Sequence, residues 1–213
     1  IINNVVDEPV PVNSEGHIAN GAHRLAAALY HQRPINTRDT NSDENYPIEA
    51  DYQVFTKKKL PKHMLQRTAL EYAKLKSNSH IVCLFPIAHT RIADVMNIIR
   101  KYSNVFYHST VSLNPIGQVS FMKEIYFVEG WANEYGIKRK SDQCFAGQSK
   151  VTFILIDAKN LQTVKEMKLK IRELFNVGNH SVHISDYHTD AVRIAKTVFN
   201  DNSIHFLNNR KYI

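Results

Sequence analysis

Val151-Thr152-Phe153-Ile154-Leu155-Ile156 is an apolar run, and the stretch that follows, Leu161 to Phe175, places Val164, Met167, Ile171 and Leu174 three and four residues apart among lysines. The first reads as a central strand buried on both faces, the second as an amphipathic helix laid over it. The same alternation extends outward on both sides. His80 to Ile87 is a continuous apolar strand, and Arg91 to Tyr102 is a helix with Ile92, Val95, Met96 and Ile99 on one face. Val105 to Leu113 alternates as a strand, Asn114-Pro115-Ile116-Gly117 is a turn by composition, and Gln118 to Ala132 is a helix carrying Phe121, Met122, Ile125 and Val128. Ser181 to Ser185 reads as a strand, Thr189 to Phe199 as a helix, and Ser203 to Leu207 as a last strand. Strands alternating with helices predict an α/β fold whose mixed or largely parallel sheet is covered by helices on its faces.

Ahead of this body lies a different kind of sequence. Arg33 to Asp51 is polar and reads as a long loop of the kind that forms lids or binding segments. Thr56-Lys57-Lys58-Lys59-Leu60-Pro61-Lys62 then leads into a helix from His63 to Lys76, with Leu65, Ala69, Tyr72, Ala73 and Leu75 on its apolar side. The boundary is set between residues 56 and 57. Residues 1–56 hold three arginines against eight acidic residues, a balance of −5, and residues 57–213 hold 24 basic against 12 acidic, a balance of +12. A basic body beside an acidic module suits an anionic ligand such as a nucleotide, phosphosugar, polysaccharide or nucleic acid. The same asymmetry also lets the two pieces attract each other.

At 213 residues the chain can bury a substantial core in one or two domains. No apolar run approaches the roughly 20 residues needed to cross a bilayer, and no signal-peptide segment opens the chain. Cys83 and Cys144 are the only cysteines, far apart and without metal-ligand spacing, which argues for a reducing, cytoplasmic setting and against a disulfide scaffold or cysteine zinc site.

Near the start, Pro9 to Val12 reads as a strand, Asn13 to Gly16 as a turn, and Asn20-Gly21-Ala22-His23-Arg24 as the entry to an Ala-rich helix, Leu25 to His31. A glycine before a helix lets backbone approach a ligand, and the helix N-terminus offers free N–H groups and a positive dipole to an anion. Arg24 at that mouth can grip phosphate oxygens bidentately. Asn20 to Arg24, with Glu15-Gly16 at the preceding turn, resembles the ParB/sulfiredoxin-like superfamily, whose signature is a strand pair ending in Gly-x-His-Arg at a helix start. The resemblance covers roughly residues 5–36. It implies a nucleoside triphosphate such as ATP held by Asn20, Gly21, Ala22, His23 and Arg24, with Mg²⁺. Many members carry an acid where Asn20 stands, so a base must come from Glu15, His17 or elsewhere. Members also carry a strand and helix ahead of the motif, which would lie upstream of Ile1, so a longer protein is expected.

The body offers a second constellation. In Asn179-His180-Ser181-Val182-His183-Ile184-Ser185-Asp186-Tyr187-His188-Thr189-Asp190, strand alternation puts His183 and Ser185 on one face, and Asp186 and His188 follow in the turn to the next helix. His183, Asp186 and His188 would form a His/carboxylate/His set for proton transfer or metal binding, although the spacing matches no strong metal motif; equally, Ser185, Asp186 or Thr189 would cap the helix. Glu124 to Trp131 brings two carboxylates to the only tryptophan, which either fills the core or stacks on a base or sugar ring. Lys138-Arg139-Lys140 reads as a basic loop, solvated or phosphate-binding. A single cleft would collect these three segments.

The expected function is therefore an ATP-dependent phosphotransferase acting on a small hydroxyl-bearing substrate, a sugar or amino acid derivative, with Glu15, Asp186 or His183 as base. Two alternatives stand beside it: a ParB-like nucleic-acid-binding module, against which the scattered basic residues speak, and a non-catalytic nucleotide-binding domain of a larger enzyme.

Overall fold

Gly21 turns the first unit from strand to helix. The computed structural model describes residues 8–14, 16–40, 57 and 59–209, and the chain separates into two units, Ile1–Glu49 and Ala50–Ile213. In the first, β1 (Val10–Val12) leads through α1 (Ala22–Tyr30) to β2 (Thr37–Asp39). The strands pair in parallel, Val10 opposite Thr37 and Val12 opposite Asp39, which requires a crossover such as α1 supplies. Val12 also bridges Ile18 across the Asn13–Gly16 turn. Most of the polar stretch read as a long loop, residues 41–51, lies outside the described residues, as does Glu15.

The second unit opens with α2 (Lys62–Leu75) and β3 (Ser79–Leu84), a 3-10 turn over Pro86–Arg91, α3 (Ile92–Tyr102) and β4 (Ser103–Ser112). Two helices follow before the next strand, α4 (Pro115–Tyr126) and α5 (Glu134–Phe145). The chain then runs through β5 (Lys150–Ala158), α6 (Leu161–Glu173), a short 3-10 turn Gly178–His180, β6 (Val182–Ile184), α7 (His188–Val198) and α8 (Asp201–Asn209).

The strand order is β4-β5-β3-β6, and every pairing in this sheet is antiparallel. The α/β class read from the sequence holds, and parallel and antiparallel pairs mix, but among the described residues the parallel pair lies in the first unit. Each β-α-β crossing in the body skips a strand: β5 lies between β3 and β4, and β3 between β5 and β6. Two interleaved split βαβ units give the ferredoxin-like arrangement, in which strands joined by a helix run the same way without touching. Alternating strand and helix fixes the crossing direction but not which strand fills the gap.

Both faces of the sheet are covered, which is why the centres of β3 and β5, Ile81 to Leu84 and Phe153 to Ile156, are apolar on both sides. Val82, Leu84, Ile154, Ile156, Val182 and Ile184 pack with α3 and α6 through Val95, Ile99, Val164, Met167 and Ile171. Ile81, Cys83, Phe153 and Leu155 face the opposite way, against α2, α4, α5, α7 and α8 through Ala69, Phe121, Ile137, Ile194 and Leu207.

Three expectations are corrected. Asn114-Pro115-Ile116-Gly117 is a helix start: Asn114 Oδ1 accepts from Gly117 N at 2.8 Å and Pro115 takes the first turn, so α4 begins and ends earlier than read. Lys138 to Lys140 lies within α5, which Asn133 caps in the same way through Gly136 N at 2.8 Å. Ser203 to Leu207 is helical: Ile204 and Leu207, three apart, join the core while Phe206 faces out, a distinction five residues cannot make between periods of 2 and 3.6.

Candidate active site

Helix α6 presents two adjacent rows. Val164, Met167 and Ile171 enter the core, while Lys168 and Arg172, four residues apart, share the flank. That flank forms one wall of a cavity of about 540 Å³, and α5 adds Arg139 and Lys140. The end of α4 contributes Tyr126, the α4–α5 connection Glu129 and Trp131, and β6 and its turn His183 and Asp186. Four cations therefore face two carboxylates across one opening.

His183 stands on the edge strand opposite Cys83, so its ring lies on the α4–α5 side of the sheet. The edge of the Tyr126 ring packs against it, centroids 5.1 Å apart at 78°. Burial first, and then Lys168, Arg172 and Lys140, push the imidazole down to about 3, with Asp186 opposing them. The ring is neutral at physiological pH and keeps a lone pair. Tyr126 packs in turn on Trp131, centroids 4.9 Å apart, and its buried phenol is held far above its ordinary range.

The cations differ in what holds them. Lys168 Nζ donates to Asp186 Oδ1 at 2.7 Å. Lys140 Nζ donates to Asn179 O at 2.9 Å and lies 3.2 Å from His180 Nδ1, and burial lowers its proton affinity. Burial likewise lowers the affinity of Arg172, whose Nε is buried without a hydrogen-bond partner. A desolvated guanidinium with an unmet donor is costly unless an anion completes it.

The predicted residues separate. His183 and Asp186 line the cavity; His188 does not, because its ring nitrogen Nε2 lies 2.8 Å from Ala73 O in α2, so the His/carboxylate/His set is not assembled. Ser185 is turned to the backbone, its hydroxyl accepting from Ile81 N at 2.9 Å. Glu124 pairs with Arg193 instead of facing the cavity, whereas Trp131 is 42% exposed on its wall. Lys168, Arg172 and Tyr126 escaped the sequence reading. In a helix that also carries Lys165 and Lys170, nothing marks two basic residues as inward-leaning except their common spacing of four.

In the first unit Gly21 has φ +91° and no side chain caps α1. Asn20 Oδ1 accepts from Gly21 N at 2.6 Å. Arg24 Nη1 donates to Glu8 Oε2 at 3.0 Å and to Pro9 O at 3.1 Å, so this nitrogen is already engaged. A Cβ on Gly21 would stand 3.1 Å from Arg24 Nη2 and 3.3 Å from Val10 Cγ2. The missing side chain makes room for Arg24 itself. Ala22 and His23 are exposed at the mouth.

Among the described residues no cluster of three or more His, Cys, Asp or Glu is placed to hold a metal, and no helix is long and apolar enough to cross a membrane. No family model matches the chain, and no curated protein sequence matches it. Among solved structures, a nucleoside diphosphate kinase from Aquifex aeolicus aligns over 54% of this chain and 89% of its own at 14% identity, TM-score 0.38. That of Borrelia burgdorferi, with bound vanadate and ADP, aligns over 63% of this chain and 91% of its own at 15% identity, TM-score 0.38.

Proposed function

We propose that the cavity flanked by α5 and α6 is the transfer site of a nucleotide-dependent phosphotransferase, with His183 as the group that takes the phosphoryl. The observation that carries this is Arg172, partly buried with its Nε unpartnered, beside Arg139, Lys140 and Lys168: these cations suit an anion, and the neutral His183 stands among them. A ring that holds its proton so weakly is a poor base toward a hydroxyl but needs no deprotonation to act as a nucleophile.

In the first half-reaction an imidazole nitrogen attacks the terminal phosphorus of a nucleoside triphosphate. The N–P bond forms, and the bond to the bridging oxygen breaks, its electron pair leaving with the diphosphate. Arg139, Lys140 and Arg172 balance the charge on the phosphoryl oxygens. In the second, a hydroxyl oxygen of a small acceptor attacks the same phosphorus. The imidazole recovers its electron pair, and Asp186 receives the hydroxyl proton. Mg²⁺ fits here only as a companion of the nucleotide phosphates, with Glu129 and Asp186 the carboxylates within the cavity. It would neutralise charge on those phosphates.

For the first unit the proposal remains a ParB/sulfiredoxin-like nucleotide mouth at Asn20 to Arg24, supported by the uncapped α1 N-terminus. Its Arg24 would exchange Glu8 for phosphate, which suits a nucleotide-sensing domain better than a catalytic one.

Incubation with γ-labelled ATP tests the transfer reading. The expected result is an acid-labile, base-stable protein label that is lost in His183→Asn. A folded protein that neither binds nor accepts label from any nucleoside triphosphate overturns it.

A further inference from the structure

Lys140 lines the cavity, and its ammonium is also engaged by Asn179 O and by His180. Its ammonium has donors only, so at 3.2 Å the Nδ1 of His180 must be the bare, accepting nitrogen, with the ring neutral and its proton on Nε2. The charged groups acting on that ring are all cations: Lys140 and Arg139 from α5 and Arg172 from α6. Cys144 of α5 lies 3.8 Å away as an un-ionised thiol, and Pro86 and Ile87 from the 3-10 turn after β3 line with His180 a second cavity of about 250 Å³.

We propose that His180 is a proton-operated latch on Lys140, so that the anion site takes up a proton when a tetrahedral dianion binds and holds that dianion more tightly in acid. The inference rests on the anion-site reading above. Burial and three cations hold down the proton affinity of His180, and Lys140 leans on its bare nitrogen. A dianion between Arg139, Arg172 and Lys140 cancels the field that suppresses protonation. Once Nδ1 gains a proton it no longer accepts from Lys140, and two cations cannot share that distance. The Lys140 ammonium swings to the dianion. Linkage makes the converse hold: a ligand that promotes proton uptake binds better as pH falls.

Sulfate is a suitable probe because it keeps both charges between about pH 5 and 8, and Trp131, the only tryptophan, reports from the cavity wall. At constant ionic strength the dissociation constant for sulfate is expected to tighten by up to about tenfold from pH 8 to 5, the scale of a one-unit shift in one group. Calorimetry in buffers of different ionisation enthalpy should count the proton. His180→Gln, which keeps a neutral acceptor for Lys140, should lose most of this dependence, as should Lys140→Met; His183→Gln should retain the His180 part. A flat wild-type profile, or an undiminished slope in folded His180→Gln and Lys140→Met proteins, overturns the latch. Sulfate that binds at no pH instead removes the anion site.

Discussion

Lys168 Nζ and Asp186 Oδ1 stand 2.7 Å apart, tying the flank of α6 to the turn after β6 at the wall of the cavity. The two ends are unequally buried, 13% exposed for Lys168 and 45% for Asp186, so most of the desolvation falls on the lysine. Lys168 is also the largest cationic influence on His183.

Replacing Lys168 by Met should therefore raise the proton affinity of His183 while costing roughly 1–2 kcal/mol of stability, since a half-exposed pair is worth less than a buried one. An NMR titration of the imidazole, set beside denaturant unfolding, checks both. An unmoved His183 titration would mean that burial alone sets it.

Arg172→Met removes a desolvated charge whose Nε has no partner. The prediction is a split outcome: stability unchanged or slightly higher, with phosphate-ligand binding weaker by about 1.5–3 kcal/mol, the scale of charge-assisted hydrogen bonds. Thermal unfolding with and without ligand separates the two effects. A variant that loses stability and keeps affinity contradicts the anion role.

Stability should fall in acid, and the sign follows from His183. Its folded value of about 3 lies below the ordinary 6.5, so between those values the unfolded chain binds the extra proton. Unfolding becomes easier as pH drops from about 6.5 toward 3, by at most about 1.4 kcal/mol per pH unit for one group, and the contribution is flat above that window. His80, whose Nδ1 lies 2.8 Å from Ser185 O, is also lowered by burial and acts in the same direction. His183→Gln should flatten the acid limb in a pH series of unfolding curves; an unchanged limb would assign it wholly to other groups.

Gly21→Ala should destabilise the first unit by about 1–2 kcal/mol, because φ +91° is strained for alanine and the new methyl meets the Arg24 guanidinium. Hydrogen exchange resolved to residues 8–40 is the measurement. Full protection in the variant would mean that Arg24 moves aside freely.

How much of this was legible depends on which physical signal each residue carries. Val151 to Ile156 and the Leu161 helix were readable because burial on both faces erases polar residues from a strand, and one-sided burial imposes a helical period. Ser203 to Leu207 was not, being shorter than two helical turns. His183 and Asp186 could be singled out because an imidazole and a carboxylate close together at a strand end stand out from an apolar strand, and both line the cavity. Lys168 and Arg172 were not, because a lysine leaning into a cavity and one in water look alike until the neighbouring strand is placed. The antiparallel pairing was hidden for a related reason. Each strand records that it is buried, not who lies beside it.

The skipped-strand order also sets a timetable. Val82 is hydrogen-bonded into a ladder whose partner residue, Ile184, is synthesised about a hundred residues later. Strand β3 must wait with an open edge on both sides until β5 and then β6 emerge, so the body is committed to distant pairings that close slowly. His183 rides on the last of those strands. A nascent chain stalled before that strand would carry α5 and α6 with their cations already made, yet lack the imidazole between them. The cations of the proposed anion site are thus in place before the imidazole that would stand among them.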